Sequence, residues 1–568
     1  MSIINIGLMF GQSDFFCLSL PPNSNSIVRF MAIRRKNPVG IQTFSEIIRG
    51  GYVYVDKTDL VWQLAHYAKY IFLSRPRRFG KSLLTSTLHS YFSGERELFE
   101  GLKITSLEQE WKKYPVIHLD MSTAKGQETA ADLRARLLYI LNDYVNLYGK
   151  LEGEVTPGAL LEGLIKRASA NAGKHVVVVI DEYDAPLLEV LHEHETLEAK
   201  RKVMQEFYQP LKANERLIKF CFITGITKFS QLSSHTPTRT CGWTFSTINN
   251  LANVTMDPRF GNICGITEQE LVTTLKEDIG LLADAYETDW ETMYQKLKQK
   301  YDGYRFTEAP AEVYNPFSLM KAFLQSKLNC YWFESGTPTF LIHQLQHFRT
   351  DIMSLEKLEV MATAFDQPTD DMDDALPLLY QSGYLTIKDY DPETDSYTLS
   401  FPNQEVHTGY ARGLIPAYLG LKLRDTQGFS LKFWRALRKD DTEQAMLELQ
   451  AYMASLPYVE GFKQKLQDVA TAEGFYEYTM YLIFTAFNDL ARTQIKCAGG
   501  RVDMVVWMPN AIYVFELKVG DTAEAALQQI DDKGYAIPYQ TDGRPVVKVG
   551  VSMNAETHTV ENWQIRMS

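Results

Sequence analysis

The sequence predicts an α/β fold organised on a parallel sheet, and three observations carry that prediction. The first is Tyr70-Ile-Phe-Leu-Ser-Arg-Pro-Arg-Arg-Phe-Gly-Lys-Ser-Leu-Leu84, an apolar strand entering a loop that closes on Gly80, Lys81 and Ser82 before a helix. The second is Lys174-His-Val-Val-Val-Val-Ile180, too β-branched for a surface helix and continuous in the manner of a strand buried on both faces. The third is the alternation of further expected strands, at 114–122 and 219–225, with helical stretches such as 128–148, where Leu133, Leu137, Leu138 and Leu141 recur at helical spacing. Strands alternating with helices make a parallel sheet covered on both faces.

The first stretch has the layout of a phosphate-binding loop. Backbone N–H groups at the helix start face an anion, the lysine reaches the outer phosphates, and the hydroxyl of Ser82 holds Mg2+. Arg78 of the same loop is taken with Gly80, Lys81 and Ser82 as a nucleotide contact. The full G-x-x-x-x-G-K-[ST] spacing would place a glycine at 75, where the chain has Arg75. The second stretch supplies what the tripeptide alone lacks, delivering Asp181 and Glu182 at its carboxyl end, where open α/β sheets bind ligands. Asp181 would share the magnesium with Ser82, and Glu182 would polarise the attacking water.

The remaining elements follow in order. Residues 1–30 hold an apolar stretch broken by Gln12-Ser13-Asp14, with no basic lead and no small-residue cleavage site, so they do not read as a secretory signal. They are expected to be disordered or an over-extended gene model, with Met31 the natural start. A mixed segment, 41–55, leads through Asp56-Lys57-Thr58 into an amphipathic helix with Leu60, Leu64 and Tyr67 on one side. Residues 267–345 read as mainly helical, opened by a capping box at Thr267-Glu-Gln-Glu270. Tyr301, Tyr304, Phe306, Phe317, Trp332 and Phe333 are expected there as core and turn aromatics. From Asp374 to Phe401 a helix gives way to a hairpin turning at Asp391-Pro392, a winged-helix outline whose few basic residues favour a structural lid. Residues 427–466 form a helical connector.

Composition narrows the function. A net charge of −12 on 568 residues, with a pI near 5.5, excludes a surface coated in positive charge, so any nucleic-acid contact must use a local patch. The cysteines at 17, 221, 241, 264, 330 and 497 form no C-x-x-C pair and read as reduced, as in a cytoplasmic protein. No run reaches the roughly 18 uninterrupted apolar residues of a membrane span.

Several runs in order, Gly51-Tyr-Val-Tyr-Val-Asp-Lys-Thr58, Arg75-Pro-Arg-Arg-Phe-Gly-Lys-Ser82, Val179-Ile-Asp-Glu-Tyr-Asp184, Ile223-Thr-Gly-Ile-Thr-Lys-Phe229, Tyr301-Asp-Gly-Tyr-Arg-Phe306 and Tyr314-Asn-Pro-Phe317, resemble the bacterial AAA-like ATPases that carry a C-terminal PD-(D/E)XK nuclease-like domain. The resemblance covers nearly everything from about residue 31 onward, and the loop with Arg75 belongs to it. It implies a P-loop ATPase core, a helical and winged-helix-like lid, and a C-terminal α/β restriction-endonuclease-like domain. It also implies that Thr224, ending the third strand, senses the γ-phosphate, and that the segment ahead of the phosphate loop touches the base. Ser233-Ser-His-Thr-Pro-Thr-Arg-Thr-Cys-Gly-Trp243 departs from the family pattern and resembles an insertion beside that strand.

The carboxy-terminal stretch Ile495–Lys518 reads as a hairpin independently of the resemblance. With Met508-Pro-Asn-Ala511 as the turn, Asp503 falls opposite Glu516. Like charges so placed destabilise a sheet, the more so among the apolar side chains of Val505, Trp507, Ile512 and Val514, and a divalent cation would resolve the conflict. Lys518 shares the face of Glu516 and would steady the reacting phosphate. Asp503, Glu516 and Lys518 are the residue set of the PD-(D/E)XK fold, for which hard oxygen ligands favour Mg2+ or Mn2+. A preceding helix offers Glu477 as a further ligand, with Glu473 as its rival. Beyond the hairpin, Asp521-x-x-Glu524 is expected to cap a helix carrying Gln529 and Tyr535, positions that resemble the family's Gln and Tyr.

The expected division is 31–262 for the ATPase core, 263–345 for the helical lid, 346–425 for the winged-helix-like part and 426–568 for connector and nuclease-like domain. The expected function is an ATPase whose nucleotide state controls metal-dependent cleavage of DNA or RNA. The alternative is a nucleotide-switched signalling or binding protein with a non-catalytic C-terminal domain. A small-molecule kinase is a weaker third. Nothing in the sequence decides oligomerisation.

Overall fold

The computed structural model describes residues 36–191, 193–229, 251–335, 339–351, 353–369, 372–456, 472–487, 491–497, 499–554 and 559–567. The expectations for residues 1–30 and for the insertion at 234–243 lie outside them. Five strands, β1 (Tyr70–Ser74), β2 (Val116–Asp120), β3 (Val176–Asp181), β4 (Ile218–Gly225) and β5 (Leu251–Asn253), form a sheet in the order β2-β3-β4-β1-β5, parallel throughout. Side chains alternate across it: Val177, Val179, Phe220 and Phe222 enter one core, and Val176, Val178, Ile180 and Ile223 the other. With β1 and β3 buried along their whole length, helices must cover both faces, as the valine run requires.

Two helical expectations are corrected. The stretch 128–148 is two helices, Ala130–Ile140 and Asn142–Tyr148, joined at Leu141; Leu133, Leu137 and Leu141 are buried. The helix Thr58–Tyr67 buries Val61 and Leu64. Tyr67 is instead exposed, with the Arg259 guanidinium 4.3 Å from its ring centre, so the apolar stripe is rotated from the one expected.

The region expected as a lid is mainly helical, with helices at Glu268–Thr274, Lys276–Ala285, Trp290–Tyr301 and Pro316–Gln325. The capping box forms: Thr267 Oγ1 accepts from Glu270 N–H at 3.3 Å, and Glu270 Oε2 from Thr267 N–H at 2.9 Å. Short strands β6 (Ile266–Thr267) and β7 (Val313–Tyr314) pair antiparallel. The expected helix and hairpin are present as Leu376–Gln381, β9 (Thr386–Asp391) and β10 (Ser396–Ser400). A third strand, β8 (Leu358–Met361), pairs with β10. The C-terminal sheet runs β11 (Ala491–Cys497), β12 (Gly500–Trp507), β13 (Ile512–Val519), β14 (Val546–Met553), β15 (Val560–Met567), with only β13 and β14 parallel.

Four helices matter for the sites: α1 (Lys81–Phe92), α2 (Gln404–Leu414), α3 (Ala472–Phe487) and α4 (Ala523–Asp532). One continuous apolar core runs from Ile71 and Leu88 through Leu379 and Tyr410 to Tyr513 and Phe515, joining core, lid and C-terminal sheet. A smaller one, around Val505, Val514, Leu527 and Ile530, lies under α4. Among the described residues no helix is long and apolar enough to cross a membrane.

Candidate functional site

A cavity of about 460 Å³ opens at the carboxyl ends of β1 and β3. Gly80, Lys81, Ser82 and Glu182 line its polar side. Val39, Ile41, Val55, Pro316 and Phe317 line the apolar side, so the segment ahead of the loop does reach it, and Phe317 is a cavity wall as well as a lid aromatic. Gly80 starts α1 with φ 90°, and a Cβ there would meet nothing within 4 Å. Glycine is needed for the left-handed backbone and not for space. Arg78 (φ 68°) and Glu182 (φ 49°) are left-handed without that excuse, and such conformations cluster at sites where the surroundings enforce them.

Lys81 is buried, and its Nζ donates to the carbonyls of Arg75 and Pro76, each at 2.9 Å. Burial lowers its pKa, against the opposing pull of Asp181, Glu182 and Asp184. Asp181 is buried as well; desolvation raises its pKa, while a hydrogen bond from Ser82 and the charge of Lys81 lower it. Its Oδ1 accepts from Glu182 N–H at 2.9 Å. Burial likewise raises Glu182, again opposed by Lys81. A helix N-terminus, the Lys81 ammonium, the Ser82 hydroxyl and the Glu182 carboxylate thus line one wall, with Asp181 bonded to Ser82 behind it, a donor set chemically able to hold a polyphosphate and orient water.

Arg75 explains the missing glycine. Its guanidinium turns away from the cavity, donating to the carbonyls of Ser74 (2.9 Å), Thr255 (2.8 Å) and Phe260 (3.0 Å) and lying 4.5 Å from the Phe306 ring centre. Arg78 lines the cavity but donates to Tyr331 O at 2.8 Å, with its guanidinium 3.9 Å from the Phe317 ring centre, and so ties the loop to the lid. Thr224 is fully buried at the end of β4, and its hydroxyl donates to Leu73 O at 2.7 Å, tying β4 to β1; it lies behind the cavity wall and not in its lining.

Two residues escaped the sequence reading. Asp184 Oδ2 accepts from Ile226 N–H (3.0 Å), Thr227 N–H (2.7 Å) and Thr227 Oγ1 (2.8 Å), fastening the loop after β3 to the end of β4. A third acid after the valine run was its only signal. Lys57, buried at the cavity wall, pairs with Glu270 at 2.6 Å; nothing local marks it.

At the second centre the predicted register holds where pairing is formed, Met504 against Phe515 through Trp507 against Ile512, and Met508 N–H closes the turn on Ala511 O at 2.9 Å. The ladder ends one step before the acids. Leu517 N–H donates to Asp503 Oδ2 at 2.7 Å, so a side chain occupies a donor that a continuing strand would use, and the two acids stand just past the paired ladder instead of within it. Glu516 is buried and accepts from Gln529 Nε2 on α4. Burial pushes Asp503 up to about 6; the Leu517 N–H pulls it down, Glu477 raises it, and Lys518 and Arg501 lower it. Glu477, on α3, is thus brought to Asp503, 3.1 Å from Arg501 Nη2. The same helix is fixed to the lid by Tyr478 on Asp351 and by Tyr481, whose hydroxyl is 3.0 Å from His407 Nε2 of α2. The side chain of Glu473 lies outside the described residues. The cap of α4 is Thr522, accepting from Ala525 N–H at 3.1 Å, where Asp521 was expected; Asp521 accepts from Thr522 N–H.

Among the described residues no group of three or more His, Cys, Asp or Glu side chains is placed to hold a metal. The donors still suit Mg2+, which takes one or two carboxylates and completes its shell with water and substrate phosphate. Asp503 with Glu516, and Asp181 with Ser82, are such sets.

Residues 38–234 match the family model described as predicted AAA-ATPase, and residues 471–563 that of the PD-(D/E)XK nuclease superfamily. The chain is 32% identical over 538 residues, 93% of its own length and 98% of the relative's, to "Uncharacterized protein in vnfD 5'region" of Azotobacter chroococcum mcd 1. Among solved structures it is similar to the Walker-type ATPase paby2304 of Pyrococcus abyssi, at 12% identity and a TM-score of 0.32, over 66% of this chain and 97% of that one.

Proposed function

Because the chain belongs to the predicted AAA-ATPase family and carries a PD-(D/E)XK nuclease-superfamily domain, we propose that it binds and hydrolyses ATP, and that nucleotide state governs metal-dependent cleavage of nucleic acid. The observation that carries the reading is the meeting of Lys81, the Ser82–Asp181 pair and Glu182 at the start of α1, above one cavity. Lys81 holds the outer phosphates and stabilises charge on them; Glu182 orients the attacking water; Val39, Ile41 and Phe317 receive the base. Ser82 and Asp181 would hold Mg2+, whose charge neutralises the phosphates when bound.

In the C-terminal domain Asp503 and Glu516, with Glu477 beside them, would hold Mg2+ or Mn2+, which polarises the scissile phosphate and activates water. Lys518 steadies charge on that phosphate, and Gln529 orients Glu516.

A second reading, a nucleotide-switched binder whose C-terminal domain does not cut, is favoured by one observation. Both acids already carry internal hydrogen bonds, from Leu517 N–H and from Gln529. Purified protein with Mg2+ or Mn2+, with and without ATP, separates the two. Cleavage of DNA or RNA that Glu516→Gln abolishes supports the first; binding without any cleavage refutes it and leaves the second.

A further inference from the structure

The hairpin that brings Asp503 to the second centre carries two like charges that its folding does not need. Lys496 of β11 stands directly opposite Arg501 of β12. Directly opposed residues share a face with Cβ atoms roughly 4.5–5.5 Å apart, and like charges there weaken the pairing. Both side chains are exposed, and β11 is an edge strand of its sheet. Arg501 finds a counter-charge in Glu477 at 3.1 Å, whereas Lys496 makes no ion pair among the described residues.

The neighbourhood adds to the pair. From Arg501 to Asp503 is a two-residue step, roughly 6.8 Å along an antiparallel strand, and Lys518 shares the field of Asp503. Arg501 and Lys518 therefore both act on Asp503, and Lys496 stands across the ladder from Arg501, in a chain whose net charge is −12. Gly499 and Gly500 pack against the end of α4 and the residues after it. A Cβ on Gly499 would stand 1.9 Å from the Lys533 carbonyl at the end of α4, and one on Gly500 2.9 Å from the Tyr535 hydroxyl. Only glycine fits against α4 at these positions, where Cys497 pairs with Gly500 and Lys496 with Arg501.

We infer that the β11–β12 hairpin is the arm that grips the nucleic-acid backbone, with Lys496 and Arg501 sharing a phosphodiester group beside the one presented to Asp503 and Glu516. A phosphate between them turns a repulsive cross-strand pair into a bridged one and gives Lys496 its counter-charge. Neutralising backbone phosphates supplies most of the affinity for nucleic acid, and an acidic protein must concentrate that work in such a place. The inference rests on the nucleic-acid reading of the preceding section and names the residues that reading lacks.

The test measures fluorescence anisotropy of end-labelled duplex DNA and of end-labelled single-stranded RNA with the full-length protein, in EDTA, over a salt series. Wild type is compared with Lys496→Gln, Arg501→Gln and the double variant. Each single change is expected to weaken binding and to lower the slope of log K against log salt by about 1, and the double change by about 2. Loss confined to the DNA arm or to the RNA arm identifies which backbone the hairpin holds. If a glutamine variant melts early, Lys496→Arg and Arg501→Lys, which keep the charge, are expected to retain the wild-type slope. Wild-type affinity and slope in the double variant would overturn the inference alone, and a wild type that binds neither probe would overturn it together with the nucleic-acid reading.

Discussion

Lys81 and Glu182 sit at one wall of the same cavity but should fail differently when changed. Lys81→Ala removes the cation proposed to face the phosphates, and titration calorimetry is expected to show no ATP binding; unchanged affinity would refute the site. Glu182→Gln keeps shape and hydrogen bonding but removes the base, so ATP should still bind while turnover falls about 10²–10⁴-fold, read as phosphate release. In the C-terminal domain Glu516→Gln and Lys518→Ala should each stop cleavage without unfolding, since the glutamine can keep the bond to Gln529 and Lys518 is only half-buried. That Lys81, Ser82 and Glu182 share one cavity wall, and that Asp503 and Glu516 lie on neighbouring strands, was legible because residue type and spacing express it. Arg75 was not: nothing in its neighbours says that a loop arginine will turn inward to three carbonyls. The bond from Thr224 to Leu73 O was not legible either, because strand-end hydroxyls serve sheets as readily as ligands.

At the scale of elements, α2 carries a pH-sensitive seat. Glu405, in its first turn and almost wholly buried, accepts from Trp332 N–H at 2.9 Å, and burial pushes its carboxyl up to about 7. An unfolded glutamate titrates near 4.3, so the folded state holds this proton more tightly. The stability this confers is complete below about pH 4.3 and is lost as pH rises through about 7, a change of roughly 4 kcal/mol. Glu405→Gln is therefore expected to flatten the fall of Tm between about pH 5 and 8 and to raise Tm at the upper end. The β12–β13 register was legible because the Met508–Ala511 turn fixes the pairing and one slip would expose an apolar face. Its early end was not, since it depends on a side chain taking a backbone donor. Strand β8, half exposed and short, and the break at Leu141 left no mark in the periodicity.

Over the whole molecule, the ATPase sheet and the lid are joined at a buried charge. Lys228, fully buried just past β4, pairs with Asp366; its N–H donates to Gln381 Oε1 at 2.8 Å, and its carbonyl accepts from Thr369 N–H at 2.8 Å. Asp366→Asn would strip the counter-charge from that lysine, at an expected loss of about 3–5 kcal/mol measured by urea denaturation. A lysine after a strand reads as a solvated end, so this joint was invisible in the sequence, whereas the order of domains was plain from the motifs. The helix α3 has a consequence of its own. Pinned through Tyr481 to His407 and reaching with Glu477 toward Asp503, it is a lever whose fulcrum belongs to one domain and whose tip belongs to another. Because the seat at His407 and the acid at Glu477 belong to one helix, amide exchange along 472–487 is expected to change on adding ATP if the second centre follows the first, and exchange that ATP leaves unaltered would show that it does not.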